Sequence, residues 1–241
     1  MNRDDFLKTE RLYHFTNRCS ALKILTSGKL KFGELNRMND INESYRQIYA
    51  KDGVDPDDVY KELNTYRQIS LTHDGRLLGF AIPSMWGHYA EKGYGICLVF
   101  DKEKLLQNLP KGCCKGYVHY KINYSAEILV NADNIQEYFK NNEKALFFSK
   151  TIDWEYEQEF RIITQNNDTL DYKDSLIAVI MYFADDIKNG DSVLGSEMAH
   201  SIERIVPNIP VLEFSYWFGN TQLRKGADQW YPPLKQYEFD I

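Results

Sequence analysis

The longest uninterrupted apolar run of the chain is its strongest constraint on the fold. It extends from Leu176 to Ala184 and has nine residues, whereas a membrane-spanning helix needs about 20. A run of this length that is apolar on both faces is typical of a strand inside a sheet. The run therefore predicts a buried strand over 176–183 and a protein without a membrane-spanning helix.

The other periodic segments of the chain mix helix and strand signals without strict alternation. The patterns predict strands at 12–15, 30–33, 67–72, 94–100, 117–121, 160–164 and 209–218. They predict helices at 18–27, 40–49, 56–66, 83–93, 102–108, 134–149 and 196–205. Such a mixture favours an α+β fold, with a mixed, mainly antiparallel sheet flanked by helices. Whether the sheet is split stays open.

The chain contains no internal repeat or flexible linker, which favours a single domain over residues 1–241. Its motifs concentrate in residues 10–165. A strand, helix and strand at 175–220 are expected to complete the sheet, and the tail after Leu223 is expected to be irregular.

Composition narrows the functional classes. The net charge is −6 and 43% of the residues are apolar, as in ordinary soluble proteins, and no basic stripe predicts nucleic-acid binding. The polar N-terminus does not resemble a signal peptide. The cysteines, including adjacent Cys113 and Cys114, fit no disulfide framework, which predicts a cytoplasmic protein. A metal site at His119 with these two cysteines is disfavoured, because adjacent cysteines poorly occupy tetrahedral positions.

The aromatic content of 14% exceeds what core filling needs and raises the question of a ring-lined cleft.

The first of three polar and aromatic patches is Tyr13-His14-Phe15-Thr16, in the first predicted strand. Because side chains alternate along a strand, Tyr13 and Phe15 face one way and His14 and Thr16 the other. His14 and Thr16 then offer hydrogen bonds to a hydroxyl or amide group of a ligand. The alternative is an edge-strand histidine without a function.

The second patch extends from Ser84 to Glu91, on a predicted helix before the strand at 94–100. Trp86 and Tyr89 are three residues apart and share a helix face. This face predicts either a stacking wall for a planar ligand or a core-facing helix, whose polar ring atoms need partners once buried.

The third patch extends from Trp154 to Arg161. In an extended chain Glu157, Glu159 and Arg161 share one face, with the two carboxylates about 6–7 Å apart. Two carboxylates at this distance repel each other, which raises the pKa of one of them unless Arg161 compensates. Such a pair suits general-base catalysis or stabilisation of a developing cation. The alternative is a solvated edge strand whose ion pair is worth less than about 1 kcal/mol.

Together these motifs resemble a bacterial family of unassigned function, domain-of-unknown-function family 2971. The matching residues are Tyr13-His14-Phe15-Thr16, Asn39-Asp40 with Glu43, Met85-Trp86 with Tyr89, Gly95 with Phe100, and Lys150, Trp154, Glu157, Glu159 and Arg161. Near relatives are connected with abortive phage infection. The resemblance therefore implies a role in phage defence, as an effector, as a toxin or beside a defence-system partner protein.

The order of elements also resembles the ADP-ribosyltransferase fold. That fold carries a histidine or arginine on its first strand, an aromatic or serine region in the middle, and a Glu-x-Glu or Gln-x-Glu at a later strand. The opening Leu-Tyr-His-Phe-Thr and the helix after it are similar to the DNA-targeting members. The resemblance implies that NAD is the co-substrate, that its nicotinamide–ribose bond is cleaved without a metal, and that the acceptor is a protein or a nucleic acid.

The resemblance also implies a role for each candidate residue. Glu159 is the first choice, and Glu157 the second, for the carboxylate that stabilises the oxocarbenium-like transition state. The residues implied to bind NAD are His14, Thr16, Trp86, Tyr89, Tyr94 and Arg161. Ser84, Tyr89 and Tyr94 compete for the middle position. Arg161 either holds the pyrophosphate with Lys150 or neutralises the carboxylates.

Two hypotheses of another class stand beside the enzyme. The chain is a catalytically inert module that binds a nucleotide or a partner segment in an aromatic cleft, or it is a structural defence component that acts by association.

Overall fold

A computed structural model of the chain describes residues 2–35, 48–50, 54–122, 128–130, 134–182, 191–217, 220–225 and 228–235. Its helices are α1 (Arg3–Lys8), α2 (Arg18–Ser27), α3 (Pro56–Leu63), α4 (Pro83–Tyr89), α5 (Lys102–Gln107), α6 (Ile135–Phe147) and α7 (Asp191–Ile205). The strands in the first half are β1 (Arg11–Thr16), β2 (Lys29–Lys31), β3 (Gly33–Glu34), β4 (Ile48–Ala50), β5 (Arg67–His73), β6 (Ile96–Asp101), β7 (Cys114–Tyr117) and β8 (His119–Lys121). Those in the second half are β9 (Ile128–Val130), β10 (Ser149–Thr151), β11 (Glu159–Thr164), β12 (Thr169–Asp171), β13 (Leu176–Tyr182), β14 (Val211–Trp217), β15 (Asn220–Lys225) and β16 (Asp228–Lys235).

The chain forms two compact units, each assembled from separated stretches. Unit 1 comprises Met1–Lys29, Thr72–Asn108 and Asp171–Ile241, and unit 2 comprises Leu30–Leu71 and Leu109–Leu170. The single domain over residues 1–241 stays a prediction.

Unit 1 contains a mixed, largely antiparallel sheet in the order β16-β15-β14-β13-β6-β1. β13 and β14 are parallel, as expected for strands joined through the helix α7. The other pairings in this order are antiparallel. β1 pairs with β6 along its whole length and with Thr72 and His73 through Tyr13 and Leu12. The predicted α+β class and mainly antiparallel sheet are confirmed.

The two central strands of unit 1 are the two most apolar segments of the sequence. Residues 96–100 of β6 and residues 176–181 of β13 are all buried, so the described part of the apolar run, residues 176–182, lies inside the sheet. The predicted strand–helix–strand near the C-terminus is present as β13, α7 and β14.

Unit 2 surrounds a core of its own. β11 pairs antiparallel with β7 and follows β5 in the sheet order, β8 pairs in parallel with β10, and β4 pairs in parallel with β9. Residues from α3, α6 and β11 form the core, including Val59, Leu63, Phe139, Phe147 and Ile163. Tyr66 packs on Phe147 with ring centroids 4.6 Å apart.

The sequence signals for helix ends operate as expected. The Asn17 carboxamide oxygen accepts a hydrogen bond from the Ser20 backbone N–H at 2.8 Å and caps α2, and Gly28 ends that helix in the left-handed region with φ of 70°. Asp55 caps α3 with Pro56 in its first turn, where a missing N–H costs nothing.

The C-terminal segment corrects the sequence prediction. The tail after Leu223 was expected to be irregular, but residues 228–235 form β16 beside β15. Among the described strands, β16 is the last of the sheet order and pairs with β15 alone. Pro232 and Pro233 are compatible with this position, because an edge strand tolerates residues without an N–H donor.

Three local predictions also change. The helix from Pro83 ends at Tyr89 rather than at Gly93, and Tyr94 precedes β6 instead of starting it. The acidic run before β11 forms a 3₁₀ helix, Ile152–Glu157, rather than the extended chain considered for the third patch. The helix predicted over 40–49 lies mostly outside the described residues, and Ile48–Ala50 forms β4.

Among the described residues, every helix is too short or too polar to cross a membrane.

Candidate functional site

Four charged side chains of unit 2 form a buried ionic cluster, which we define as Lys150, Glu157, Glu159 and Arg161. None is more than 5% exposed. Lys150 lies on β10, Glu157 ends the 3₁₀ helix, and Glu159 and Arg161 lie on β11. The positive charges of Lys150 and Arg161 balance the two carboxylates, so the cluster is neutral when all four groups are ionised.

Glu159 and Arg161 form a two-point ion pair on one face of β11. The arginine Nε and Nη2 donate to the two carboxylate oxygens at 2.7 and 2.8 Å, and its Nη1 donates to the Phe147 carbonyl at 2.6 Å. Burial alone would raise the pKa of Glu159, but Arg161, Lys150 and a hydrogen bond with Ser70 lower this pKa to about 2. Glu159 is therefore ionised at neutral pH.

Lys150 joins the second carboxylate to this pair. Its Nζ lies 2.6 Å from Glu157 Oε2 and 3.5 Å from Glu159 Oε2, and it also lies 4.5 Å from the centre of the Trp154 ring. Gln158, between the two glutamates, has a left-handed φ of 46°. The chain therefore turns between the two glutamates, and both carboxylates contact one ammonium group.

The ionic cluster excludes one interpretation of this patch and fits part of the other. All six residues of β11 are buried, so it is not the solvated edge strand of the alternative interpretation. Arg161 compensates for the carboxylates, as one interpretation predicted, and its guanidinium is fully buried. The geometry favours this neutralising role for Arg161 over pyrophosphate binding.

The side chains of β1 in unit 1 alternate as the sequence predicts. Tyr13 packs on Phe80 and Phe15 packs on Trp86, with ring centroids 6.2 and 5.2 Å apart. His14 and Thr16, between and after them, therefore lie on the opposite face of the strand. The structure thus separates His14 and Thr16 from Trp86, although all three were predicted to bind one cofactor.

Trp86 belongs to a cluster of aromatic rings in the core of unit 1. Its indole stacks on Phe214 with centroids 5.5 Å apart at 14° and contacts Tyr182 at 5.9 Å. Its Nε1 donates to the Phe80 carbonyl at 2.7 Å, which supplies the partner that a buried indole N–H needs. Trp86 is therefore first a core residue.

A pocket of about 270 Å³ lies beside these rings, and we call it the ring pocket. It is lined by Trp86, Tyr182 and Phe214 together with Pro83, Gly87, Lys92 and Gly93. Of these described lining residues, Lys92 is the charged one. The arrangement combines aromatic surface with one cation, as small-molecule sites often do.

Tyr89 and Tyr94, which were also implied to bind NAD, are not among the described residues that line the ring pocket. Tyr89 ends α4 and is half-buried beside His88. Tyr94 is 54% exposed, and the Arg18 guanidinium lies 5.8 Å from its ring centre while the Arg18 Nε donates to its carbonyl at 2.5 Å.

Sequence reasoning missed part of the ring pocket. Tyr182 and Phe214 follow strand patterns of ordinary core residues, and no local signal shows that they meet Trp86. Lys92 and Gly93 lie at the end of the predicted helix and carry a weak signal only, a lysine and a glycine at a helix end.

A second polar group of unit 1 was also missed. Asp74 accepts hydrogen bonds from the Tyr13 hydroxyl at 2.9 Å, the Arg11 Nε at 2.9 Å and the Gly79 N–H at 2.9 Å. Burial, and then the charge of Asp74, raise the pKa of Tyr13 well above its ordinary value. This group holds the segment after β5 against β1.

Within the parts of the chain that the structure describes, no three histidine, cysteine or acidic side chains meet in a group able to hold a metal ion. The buried cluster and the ring pocket therefore remain the candidate sites.

Fold and sites define an α+β protein with a mixed sheet, a buried ionic cluster and an aromatic pocket. Residues 85–162 match the model of a family described as "Protein of unknown function (DUF2971)". This match confirms the family resemblance predicted from the motifs, and it includes the Met85-Trp86 motif, Gly95 with Phe100, and the segment from Lys150 to Arg161. Neither the curated proteins nor the solved structures include a match to the chain.

Proposed function

We propose that the protein is a nucleotide-binding module and that its ring pocket in unit 1 takes one flat heteroaromatic ring of the ligand. The observation that carries this proposal is the pocket itself, walled by Trp86, Tyr182 and Phe214. Aromatic walls favour planar rings through stacking and apolar contact.

The size of the pocket decides how much of a ligand it can hold. Pockets that enclose a whole drug-sized molecule have roughly 300–1,000 Å³, and the ring pocket has about 270 Å³. It therefore suits a nicotinamide or a nucleobase, and the rest of a dinucleotide such as NAD would extend out of it.

Gly87 allows this proposal to be tested without disturbing the core. It lines the pocket on α4, and a Cβ at this position meets no atom within 4 Å. We expect a leucine there to occupy space at the pocket that a ligand would use, and an alanine to leave that space open. We expect calorimetric titration with NAD, nicotinamide and AMP to show binding to the wild type and to Gly87→Ala, and at least tenfold weaker binding to Gly87→Leu. Equal affinities for all three proteins would refute the ring pocket as the site.

We propose as a second candidate an NAD-dependent ADP-ribosyltransferase with Glu159 as its catalytic carboxylate. The observation that favours it is a carboxylate held ionised at the start of a buried strand, since cleavage of the nicotinamide–ribose bond develops positive charge that an ionised carboxylate stabilises. The acceptor would be a protein or a nucleic acid, in the setting of phage defence. Arg161 occupies both oxygens of Glu159, so this candidate requires the ion pair to open, and we rank it second.

The enzyme test needs variants that keep the ionic cluster neutral. Glu159→Gln/Arg161→Met removes one charge of each sign, and Glu157→Gln/Lys150→Met does the same for the other pair. If Glu159 is catalytic, nicotinamide release from NAD in a cell lysate is lost in the first variant and kept in the second. No release by the wild type would exclude the enzyme, and NAD binding without release would support the inert module.

A further inference from the structure

The turn that follows α4 has an unusual backbone. Glu91, Lys92 and Gly93 have φ angles of 47°, 57° and 96°, three left-handed residues in succession. Non-glycine residues in this region cost of order 1 kcal/mol or more each, and such strain is concentrated at functional sites. Lys92 and Gly93 both line the ring pocket.

Several hydrogen bonds hold this strained turn in place. The Glu91 carboxylate accepts from the Arg18 backbone N–H at 3.0 Å, and the N–H groups of Gly93 and Gly95 both donate to the Ala90 carbonyl, at 2.9 and 2.8 Å. Gly93 also packs closely against the Tyr182 ring. The turn is therefore fixed, and it fixes the backbone from which Lys92 extends.

Lys92 is exposed at the pocket, and within the described part of the chain no carboxylate forms an ion pair with it. The nearest acidic neighbour in sequence, Glu91, has its carboxylate engaged with α2. Arg18, a cation that also contacts this turn, is engaged with Tyr94. Lys92 is thus the cation placed to meet a ligand whose ring fills the pocket.

We propose, resting on the nucleotide-binding function above, that the ring pocket selects nucleoside monophosphates, with the base in the pocket and the phosphate on the Lys92 ammonium. The pocket holds one ring, so the charged part of the ligand extends out of it, and Lys92 both lines the pocket and is exposed to solvent. A lysine–phosphate contact adds an interaction of the charge-assisted kind. The proposal predicts preference for a nucleotide over its nucleoside, whichever base is bound.

The test compares ligands that differ by the phosphate alone. We expect AMP to bind about tenfold more tightly than adenosine, and nicotinamide mononucleotide about tenfold more tightly than nicotinamide riboside, in calorimetric titrations at low salt. This preference should shrink as the ionic strength rises.

The matched variants are Lys92→Asn and Lys23→Gln. Asparagine tolerates a left-handed φ, so Lys92→Asn keeps the turn and removes the charge, while Lys23 is exposed on α2 and outside the pocket lining. We expect Lys92→Asn to bind nucleotide and nucleoside equally and Lys23→Gln to behave as the wild type. Equal binding of nucleotide and nucleoside to the wild type would overturn this proposal and leave the ring site intact. Binding of none of the four ligands would overturn the proposed function itself, and this proposal with it.

Discussion

At the scale of single residues, Arg161 is the most consequential side chain of unit 2. It is fully buried, and its donors contact Glu159 and the Phe147 carbonyl. Removing one partner of a buried ion pair leaves an uncompensated charge in the core, which is far more costly than removing both. A loss of activity in a single Glu159 variant would therefore not distinguish catalysis from unfolding.

The Glu159–Arg161 ion pair determines how strongly variants of Glu159 are destabilised. Glu159→Gln should lower the free energy of unfolding by about 3–5 kcal/mol, because it leaves the Arg161 charge without its counter-ion. Glu159→Gln/Arg161→Met should recover most of that loss. Urea denaturation followed by circular dichroism measures both, and a single variant as stable as the wild type would contradict the buried pair.

The same pair predicts a dependence on pH. The pKa of Glu159 in the folded protein is about 2, below its ordinary value of 4.5, so its ion pair contributes stability that is fully present above about pH 4.5 and lost as the pH falls toward 2. Between pH 5 and pH 3 we expect a steeper fall in unfolding free energy for the wild type than for Glu159→Gln/Arg161→Met. Parallel curves for the two proteins would show that other carboxylates dominate.

At the scale of elements, α4 and the turn after it carry two glycines with opposite roles. Gly87 lies inside the helix with open space around its missing side chain, whereas Gly93 lies in the left-handed region, where a Cβ would lie 3.2 Å from the Tyr182 ring. A glycine inside a helix lowers the stability of the protein relative to alanine. At a positive φ the order is reversed, because an alanine there is strained and a glycine is not.

Gly87→Ala should therefore raise the free energy of unfolding by about 0.5–1 kcal/mol, visible as a thermal midpoint a few degrees higher. Gly93→Ala should lower the free energy of unfolding by about 1–3 kcal/mol. Gly28→Ala is the matched control, because Gly28 has φ of 70° but no atom near its Cβ position. A Gly93→Ala effect equal to that of Gly28→Ala would mean that contact with Tyr182 adds nothing.

At the scale of the whole molecule, segments far apart in sequence meet within each unit. In unit 1, Phe6 of α1 packs edge-on against Trp230 of β16 with ring centroids 5.6 Å apart, and the Arg3 Nε donates to the Trp230 carbonyl at 3.4 Å. The strand that the sequence pattern did not predict thus covers the first helix.

Trp230→Ala should lower the free energy of unfolding by about 3–5 kcal/mol, as expected for a buried tryptophan replaced by alanine, since Trp230 is only 6% exposed. Hydrogen exchange should show faster exchange in α1 and β16 together. Faster exchange in β16 alone would indicate that the Phe6 contact does not link the two elements.

The sequence predicted helices, strands and side-chain pairs correctly where residues close together along the chain determine them. The capped helix α2, the proline-led helices α3 and α4, and the buried strands β6 and β13 all follow from caps, periodicity and apolar runs. The alternation on β1 and the pairing of Glu159 with Arg161 are also local, because two residues apart on a strand share a face. The 3₁₀ helix before β11 escaped prediction because a turn at Gln158 replaced the extended chain that the charge pattern suggested.

What only the tertiary structure decided is which distant side chains meet. Trp86, Tyr182 and Phe214 lie on α4, β13 and β14, and the packing of α4 against these two neighbouring strands brings their rings together around a pocket. Lys150 reaches Glu157 and Glu159 because the chain folds back after β10. The sequence by itself determined the capped helices and the apolar strands β6 and β13, since these depend on short-range sterics and burial patterns. The partners of each charge and ring depended on long-range packing, which no local pattern encodes.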